Sequence, residues 1–506
     1  MKTVVNFVKK RLLIIAFLFL YFVFALYTYK DYGLTNDEFF VYARGKYFYT
    51  KVKGNDQFLQ KGFAIKDRDN EDLLFNNSTY PALLYVFNDN ESYEGYHLLN
   101  FFFAGLIFYA VYEVLLYVYK KPFLAIVGPI FLFFTPRFLG DIPANPKDIP
   151  FAVMYFLTIA AIFFFLKWNE KVRILMIGLL LGITASLRIL GFTLLIVYAT
   201  YLLYQYLIEK KSKSIFYFLH LILESFLIFL IGFLVFLVSM PYVAADPFNH
   251  FIELVKVGTS FPWFGKVLFF GKEYAVSQRP LLYLFGWITI TTPFFILVPS
   301  IISIFTPLKK EVNSLKVLFI ISICFQLILY FLIKPTVYNG LRHYLFLIPQ
   351  LVVLATIFFN EIVKKKTLII FVSILILANL VSITKSYFDL HPYEYVYFNA
   401  LVNGLRGADG KFELDYWGAS EKEALLWLKN YLADHHFAKS SVYVCSKSYS
   451  LTYYLPESKD ANRFPNIAQY IICGSKNSPY ITSRSKLIHI ITRQNVPLQY
   501  IYDQNK

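Results

Sequence analysis

The sequence predicts a polytopic α-helical membrane protein that ends in a small α/β domain, and two observations support this prediction. Of the 506 residues, 57% are hydrophobic and only 16% are charged, and the mean hydropathy is +0.51. Apolar runs of roughly 18–20 residues recur along the chain, which is the length that an α-helix needs to cross a bilayer. Soluble domains carry about 25% charged residues and lack such runs.

The apolar runs predict about eleven transmembrane helices. The short runs near 122 and 173 are the weakest members of the set, because an apolar stretch of about 14 residues also suits a buried helix. The predicted spans are 12–29, 97–119, 122–135, 150–167, 173–187, 189–208, 215–240, 281–305, 317–333, 343–362 and 367–385.

Basic residues cluster in every second loop, which fixes the predicted orientation. Loops rich in Lys and Arg stay in the cytoplasm, so we expect a multi-pass protein of the cell membrane with a cytoplasmic N-terminus. The net charge of +16 therefore follows from these loops, and we expect no nucleic-acid partner. The clusters are Lys9/Lys10/Arg11, Lys120/Lys121, Lys167/Lys171/Arg173, Lys210/Lys211/Lys213, Lys309/Lys310/Lys316 and Lys364/Lys365/Lys366. The first run lacks a small-x-small cleavage site, which predicts an uncleaved helix.

The chain changes character near residue 386, which predicts two domains: a transmembrane domain, 1–385, and an extracytoplasmic C-terminal α/β domain, 386–506. Ser420 and Glu423 have the spacing of a capping box at the start of a helix that ends near residue 433. Strands are predicted at 441–446 and 470–473, with a closing hairpin of 487–492 and 498–502. Cys445 and Cys473 fall in adjacent predicted strands. This placement is compatible with a disulfide and with two free buried thiols, and we favour the thiols.

The long first outer loop, 30–96, opens with two adjacent carboxylates, Asp37 and Glu38. Asn36 can cap a helix whose first turn holds both acids, where negative charge suits the helix dipole. The aromatic and basic residues that follow predict an amphipathic helix on the membrane interface. The same two acids suit a solvated loop or a functional site, and the rest of the chain has to decide between them.

The second outer loop, 135–150, contains four prolines and one glycine, which predicts that it forms no regular helix. It holds Asp141, Lys147 and Asp148 close together. Irregular backbone beside a membrane is tolerated where it lines a cavity. The alternative is a proline-stiffened hairpin with no further role.

Three more ionisable residues stand at predicted outer helix ends: Arg188, Arg342 and His343. Charged side chains near membrane depth are costly, so they face a polar cavity or extend to the interface. Two acids, Glu113 and Glu224, lie within apolar runs and predict polar contacts between helices.

The mixture of acids and bases on the outer side suits transfer from an electrophile with a phosphate leaving group. A carboxylate can act as general base toward a hydroxyl or an amine, and Arg or Lys can hold a phosphate. At a membrane surface such an electrophile would be a lipid-linked sugar. The chain has neither a Walker A loop nor a dinucleotide-binding glycine fingerprint, which disfavours a nucleotide-driven pump and a nucleotide-sugar enzyme.

An Asp-Glu pair directly after the first helix resembles the GT-C superfamily of membrane glycosyltransferases. The resemblance is strongest to the protein O-mannosyltransferase and aminoarabinose-transferase-like branch, which is glycosyltransferase family 39-like. It extends to a long first outer loop and a soluble outer tail. The segments 145–151, 342–344 and Asp415-Tyr416-Trp417-Gly418 also resemble bacterial members. The fold it implies is a GT-C-like helical membrane domain.

This resemblance implies that Asp37 activates the acceptor and that Glu38 supports Asp37 or a divalent metal. We therefore expect an inverting glycosyltransferase that moves a sugar from a polyprenyl-phosphate donor to a protein or glycolipid acceptor in the membrane. Donor phosphate-binding candidates are Lys147, Arg188, Arg342 and His343; acceptor or sugar-binding candidates are Asp141 and Asp148. The main alternative is a transporter or flippase of a lipid-linked or amphipathic substrate.

Overall fold

The structure is a computed structural model that describes residues 2–52, 79–88, 92–208, 215–261, 263–362, 366–435, 440–446, 449–461 and 465–504. Part of the predicted first outer loop, 53–78 and 89–91, lies outside the described residues. The same is true of the basic clusters at 209–214 and 363–365.

Helices make up most of the described chain. In the first half they are α1 Lys2–Thr28, α2 Asn36–Val52, α3 Thr79–Phe87, α4 Tyr93–Tyr119, α5 Pro122–Ala125, α6 Val127–Phe133, α7 Pro136–Ala144, α8 Asp148–Phe165, α9 Glu170–Leu187, α10 Leu194–Ile208, α11 Ile215–Ser239, α12 Pro241–Ala245 and α13 Pro247–Thr259. After a hairpin of β1 Lys266–Phe269 and β2 Lys272–Ala275 come α14 Tyr283–Thr291, α15 Phe294–Phe305, α16 Lys310–Ile333, α17 Ile348–Ile362 and α18 Lys366–Leu390.

Eight helices of the described chain are long and apolar enough to cross a membrane, and the number rises to ten if two bent pairs count as spans. The prediction was about eleven. The bent pairs correspond to the predicted runs near 122 and 281, with bends of 68° and 119°. The eleventh predicted span, 173–187, corresponds to α9, which is not among these candidates. Its first turn holds Glu170, Lys171 and Arg173. The polytopic helical fold is thus confirmed. Large apolar side chains on these helices are exposed, as lipid contact requires.

Helices α9 and α11 pack closely because two glycines four residues apart remove the side chains between them. A Cβ at Gly182 would overlap the carbonyl oxygen of Gly232, and one at Gly178 would lie 2.8 Å from the Cβ of Ile231. Small residues at this spacing let two backbones approach closely in a membrane. Helix α9 also packs against α8, and its C-terminal end places Arg188 beside Asp148 at the start of α8.

Both acids predicted within apolar runs make contacts between helices, as expected. Glu113 on α4 accepts two hydrogen bonds from Arg11 on α1, each 2.6 Å long. Glu224 on α11 accepts one of 2.6 Å from Arg173 on α9. Burying a charge is favourable only when it is paired, so these contacts fix how the helices pair.

The prediction that residues 135–150 form no regular helix was wrong in part, because α7 spans Pro136–Ala144. Pro136 is the first residue of α7, where a backbone N–H has no helical partner in any case. Pro143 lies in the last turn, where a missing N–H removes a single hydrogen bond. A Cβ at Gly140 would overlap the backbone nitrogen of Tyr395, so this glycine lets α7 lie against the segment after α18.

The C-terminal region, residues 391–504, contains the predicted helix α20 Glu421–Asp434 and the predicted strands β3 Ser441–Val444, β5 Tyr470–Cys473, β6 Lys486–Arg493 and β7 Val496–Asp503. Further elements, which were not predicted, are α19 Gly404–Ala408, α21 Tyr449–Tyr454 and β4 Lys459–Asp460. Five strands form one sheet in the order β4-β3-β5-β7-β6. Strands β6 and β7 form the predicted hairpin. Apolar residues of α20 pack on the sheet.

Two predictions for this region were wrong. Ser420 makes no capping hydrogen bond at the start of α20, since its hydroxyl donates to Asp415 instead. Glu423 binds Arg493 at 2.6 Å, so the capping box does not form. Cys445 and Cys473 form a disulfide rather than two thiols, because β3 continues beside β5 and brings their Cα atoms within 4.9 Å.

Candidate functional site

The first turn of α2 is organised by Glu38 rather than by Asn36. Helix α2 begins at Asn36, so Thr35 is the residue at the cap. The Thr35 backbone N–H donates to Glu38 Oε2 at 2.8 Å, and the Thr35 hydroxyl donates to the same oxygen at 3.0 Å. The predicted cap at Asn36 was therefore wrong by one residue. A Glu three residues into a helix that bonds back to the cap is half of a capping box.

Glu38 faces the helices and is fully buried. Its Oε1 atom lies 2.9 Å from His97 Nε2 on α4 and accepts a hydrogen bond of 3.3 Å from the Tyr42 hydroxyl. All its oxygens are thus held by neighbours in the protein. Adjacent helical residues point about 100° apart, so Glu38 and Asp37 face different surroundings although they are neighbours in sequence.

Asp37 faces two cations that come from distant parts of the chain. Its Oδ2 atom lies 2.9 Å from the Arg342 guanidinium and 3.6 Å from Lys147 Nζ. Partial burial opposes ionisation, but Lys147 and Arg342 outweigh it and hold the pKa of Asp37 well below its usual range. Asp37 is therefore a carboxylate at neutral pH. Its side chain remains 23% exposed, so a substrate can reach it.

The two acids of the second outer loop have different partners. Asp148, at the start of α8, forms an ion pair with Arg188 and exchanges hydrogen bonds of 2.9 and 3.2 Å with Asn145. Asp141 accepts one hydrogen bond of 3.2 Å from the indole of Trp417, while its Oδ2 atom is buried without a hydrogen-bond partner in the part of the chain that the structure describes. Asp141 thus retains an oxygen that a ligand can use.

Arg342 is sandwiched between two aromatic rings. The guanidinium lies 4.8 Å from the ring centre of Tyr338 and 4.6 Å from that of Trp417. Its side chain is only 5% exposed. A planar guanidinium between aromatic rings is fixed in orientation and stabilised by cation–π attraction. Arg342 therefore presents its N–H groups to Asp37 in a defined geometry.

His343 lies at the edge of the same cluster. Its ring packs edge-on against Tyr338 at 4.8 Å, and the charges of Arg342, Arg188, Lys147 and Arg279 all act on it. Its Nδ1 atom is buried without a hydrogen-bond partner in the described chain. Arg279 was not among the sequence candidates, because it stands in a loop with no neighbouring acid or motif to distinguish it.

A buried carboxyl group, Glu413, was also missed by the sequence analysis. It accepts a hydrogen bond of 3.1 Å from the Tyr283 hydroxyl. Burial raises the pKa of Glu413 to about 7, although Arg342 and Arg137 act in the opposite direction. A carboxyl group that can hold a proton near neutral pH thus lies within electrostatic range of the Asp37 cluster.

The structure brings the predicted residues together at one end of the helices. Ion pairs join Asp37 to Lys147 and Arg342, and a second ion pair joins Arg188 to Asp148. Trp417 links Asp141 to Arg342. Several buried polar atoms here have no protein partner in the described chain: Asp141 Oδ2, Arg188 Nε, Arg342 Nε and His343 Nδ1. We call these residues the Asp37 cluster: Asp37, Asp141, Lys147, Asp148, Arg188, Arg342, His343 and Trp417.

The residues of the cluster do not fit a divalent metal at Asp37 and Glu38. Two cations flank Asp37, and Glu38 is turned toward His97. Within the residues that the structure describes, no group of three or more His, Cys, Asp or Glu side chains converges as metal ligands would.

A separate cavity of about 360 Å³ lies at the opposite ends of the helices from Asp37. It is almost entirely apolar and is lined by residues of α5, α6, α17 and α18. Its position among lipid-facing helices and its lack of ionisable groups distinguish it from the Asp37 cluster.

Comparison with known proteins gives limited similarity. No family model matches the chain, and no curated protein matches it. Sixteen chains of solved structures match this chain, and two of them are described here. One is the oligosaccharyltransferase of Archaeoglobus fulgidus tethered to an acceptor peptide with the NVT sequon, with 11% identity, a TM-score of 0.42, and coverage of 76% of this chain and 55% of that chain. The other is the oligosaccharyltransferase AglB of A. fulgidus with an inhibitory peptide and a dolichol-phosphate, with 9% identity, a TM-score of 0.40, and coverage of 79% and 61%. The chain thus spans less than two thirds of either protein's length.

Proposed function

We propose that this chain is a membrane glycosyltransferase that moves a sugar from a polyprenyl-phosphate-linked donor to a hydroxyl or amine acceptor. The observation that carries the proposal is the placement of Asp37: an accessible carboxylate held between Arg342 and Lys147 at one end of the helices. A carboxylate beside two cations supplies both a base for the acceptor and a binding site for a phosphate leaving group.

In the proposed reaction the acceptor attacks the anomeric carbon from the side opposite the phosphate. Asp37 takes the proton from the attacking hydroxyl or amine. The bond between the anomeric carbon and the phosphate oxygen breaks, and the polyprenyl phosphate leaves with the electron pair. One displacement of this kind inverts the anomeric configuration. The cations Lys147, Arg188 and Arg342 would stabilise the negative charge on the leaving phosphate.

Donor binding itself would strengthen the base. In the structure Lys147 and Arg342 hold the pKa of Asp37 well below its usual range, which makes this carboxylate a weak base. A bound phosphate shares those cations and lowers their effect on Asp37. We therefore expect the donor to bind before the acceptor loses its proton.

The remaining candidates receive separate roles in the proposal. Asp141, with its unshared oxygen, would bind the sugar or the acceptor, whereas Asp148 would act only by holding Arg188. His343 would bind the phosphate from the edge of the cluster. Glu38 would position α2, because its carboxylate is occupied by Thr35 and His97. The proposal also assigns the chain to the branch of protein O-mannosyltransferases and aminoarabinose transferases. It places the Asp37 cluster on the extracytoplasmic side of the membrane.

The test is a transfer assay with the purified chain in liposomes, supplied with a panel of radiolabelled sugars on polyprenyl phosphate. We expect release of polyprenyl phosphate in a one-to-one ratio with a glycosylated acceptor, and NMR of the product should show an inverted anomeric centre. A flippase would instead move the labelled lipid to the other leaflet without cleaving it. Movement without cleavage, or a retained anomeric configuration, would rule out the proposal.

A further inference from the structure

The turn at residues 415–418 brings the C-terminal region into direct contact with the Asp37 cluster. Trp417 donates its indole N–H to Asp141 Oδ1 at 3.2 Å. Its ring lies 4.6 Å from the Arg342 guanidinium. Its backbone carbonyl accepts a hydrogen bond of 3.1 Å from the N–H of Asn36, the residue before Asp37. One side chain and its own carbonyl thus contact three segments that are distant in sequence.

The turn that presents Trp417 is itself rigid. The carboxylate of Asp415 accepts hydrogen bonds of 3.1 Å from the backbone N–H groups of Ala419 and Ser420. It also accepts hydrogen bonds from the hydroxyls of Tyr395 and Ser420. Gly418 adopts φ +72°, a conformation that a residue with a Cβ adopts only at a cost. Trp417 is therefore held in one orientation.

The start of the first outer loop, residues 32–34, packs against the same turn and the helices that follow it. A Cβ at Gly33 would overlap the carbonyl oxygen of Ala419. The Leu34 backbone N–H donates to the Tyr454 hydroxyl at 2.9 Å. Lys422 donates to the carbonyl oxygen of Tyr32 at 3.2 Å. These contacts fix the backbone that leads into α2, and hence the position of Asp37, against the C-terminal region.

We infer that Trp417 is a positioning residue of the proposed transferase, which holds Asp141 and Arg342 in the geometry that the substrate meets. The inference rests on the proposed function and assigns the C-terminal region a part in the site rather than a covering role. The indole N–H orients the carboxylate of Asp141 so that its second oxygen faces the substrate. The indole ring holds the guanidinium of Arg342 for the donor phosphate.

The experiment compares Trp417→Phe with Trp427→Phe in the full chain. Phe at position 417 keeps a ring over Arg342 but cannot donate to Asp141. Trp427 lies on α20 of the same region, where it stacks on Tyr431 and His489 at 5.2 and 4.2 Å, and serves as the matched control. We expect Trp417→Phe to lower kcat/KM about tenfold, the effect of losing one hydrogen bond to a charged group. Trp427→Phe should match the wild type.

A double-mutant cycle separates positioning from a merely structural role. If Trp417 acts through Asp141, then Trp417→Phe should lower kcat/KM little further once Asp141→Ala, which has no oxygen to accept from the indole, is present. Additive losses, or equal activity of Trp417→Phe and the control, would overturn the inference. So would a loss of activity that follows a fall in unfolding temperature, because that would be a folding defect.

A binding measurement keeps the inference independent of the transfer assay. Polyprenyl phosphate alone is the probe, and Trp417→Leu removes the ring over Arg342. We expect its affinity for polyprenyl phosphate to fall about tenfold while Trp427→Leu retains wild-type affinity. Equal affinities would overturn the inference. Absence of transfer by the wild type, with binding that still depends on Trp417, would refute the proposed reaction and leave the positioning role of Trp417 standing.

Discussion

His391 provides a prediction about pH and stability that can be worked out from the structure. Its Nδ1 atom lies 2.6 Å from Glu394 and its Nε2 atom 3.0 Å from Asp31. Burial alone would lower the pKa of His391. The negative charges of Glu394 and Asp31 outweigh burial and raise the pKa above its usual value. Both ring nitrogens then carry protons. The imidazolium joins the end of α1 to the C-terminal region and so helps to hold the loop before Asp37.

The size of the effect follows from the exposure of the two partners. A hydrogen bond to a charged group contributes about 1.5–3 kcal/mol when buried, and an exposed ion pair about 0–1 kcal/mol. The Glu394 side chain is 2% exposed, whereas that of Asp31 is 50% exposed. We therefore expect about 2 kcal/mol of stabilisation, mainly from Glu394. Because the pKa is raised in the folded state, this stabilisation is complete below about pH 6.5 and is lost as pH rises through the folded pKa of His391.

The assay is the unfolding temperature of the purified protein between about pH 6 and about pH 9, the range in which histidine titrates. The wild type should lose stability across this range more than His391→Gln does. His489→Gln is the control, because burial lowers the pKa of His489 and its removal should leave the loss intact. Parallel pH profiles for the wild type and His391→Gln would refute the reasoning.

Three further predictions concern contacts that stabilise the site and the C-terminal region. Gly33→Ala should lower transfer activity and cost about 1–3 kcal/mol of stability, as overpacking does, and thermal unfolding together with kcat/KM checks this. Arg188→Gln leaves the buried Asp148 unpaired and should destabilise the chain by about 3–5 kcal/mol; the double variant with Asp148→Asn should recover most of that loss in the same unfolding assay. The disulfide between Cys445 and Cys473 closes a separation of 28 residues, so replacing both by Ser should cost about 3–4 kcal/mol, measured by thermal unfolding without reductant.

Much of the fold follows from the sequence because its signals are local. Apolar runs are long enough to identify membrane helices, and the alternation in β6 and β7 predicts their hairpin. The end-of-helix positions of Lys147, Arg188 and Arg342 could be predicted for the same reason, because the apolar runs mark where the helices begin and end. Which of them meet Asp37 depends on the packing: Lys147 and Arg342 do, whereas Arg188 pairs with Asp148.

The parts that could not be predicted depend on contacts between distant segments. The partner of Glu38 is His97, on a helix that follows the long first loop, and only the packing shows that this acid faces inward. Trp417 stands in the segment 415–418, which resembles bacterial members of the superfamily but for which the sequence predicted no role. Trp417 contacts Arg342 and Asp141, and Asp141 is 276 residues away in the sequence. No short-range pattern records such a contact.

The central claim is that Asp37 is the base, and a single-turnover measurement with Asp37→Asn tests it most directly. The variant should bind polyprenyl phosphate at least as tightly as the wild type, because Asp37 no longer competes for Lys147 and Arg342. Transfer of the sugar from bound donor should fall about 10²–10⁴-fold, the contribution of a general base. Transfer at the wild-type rate from donor bound to Asp37→Asn would contradict the account.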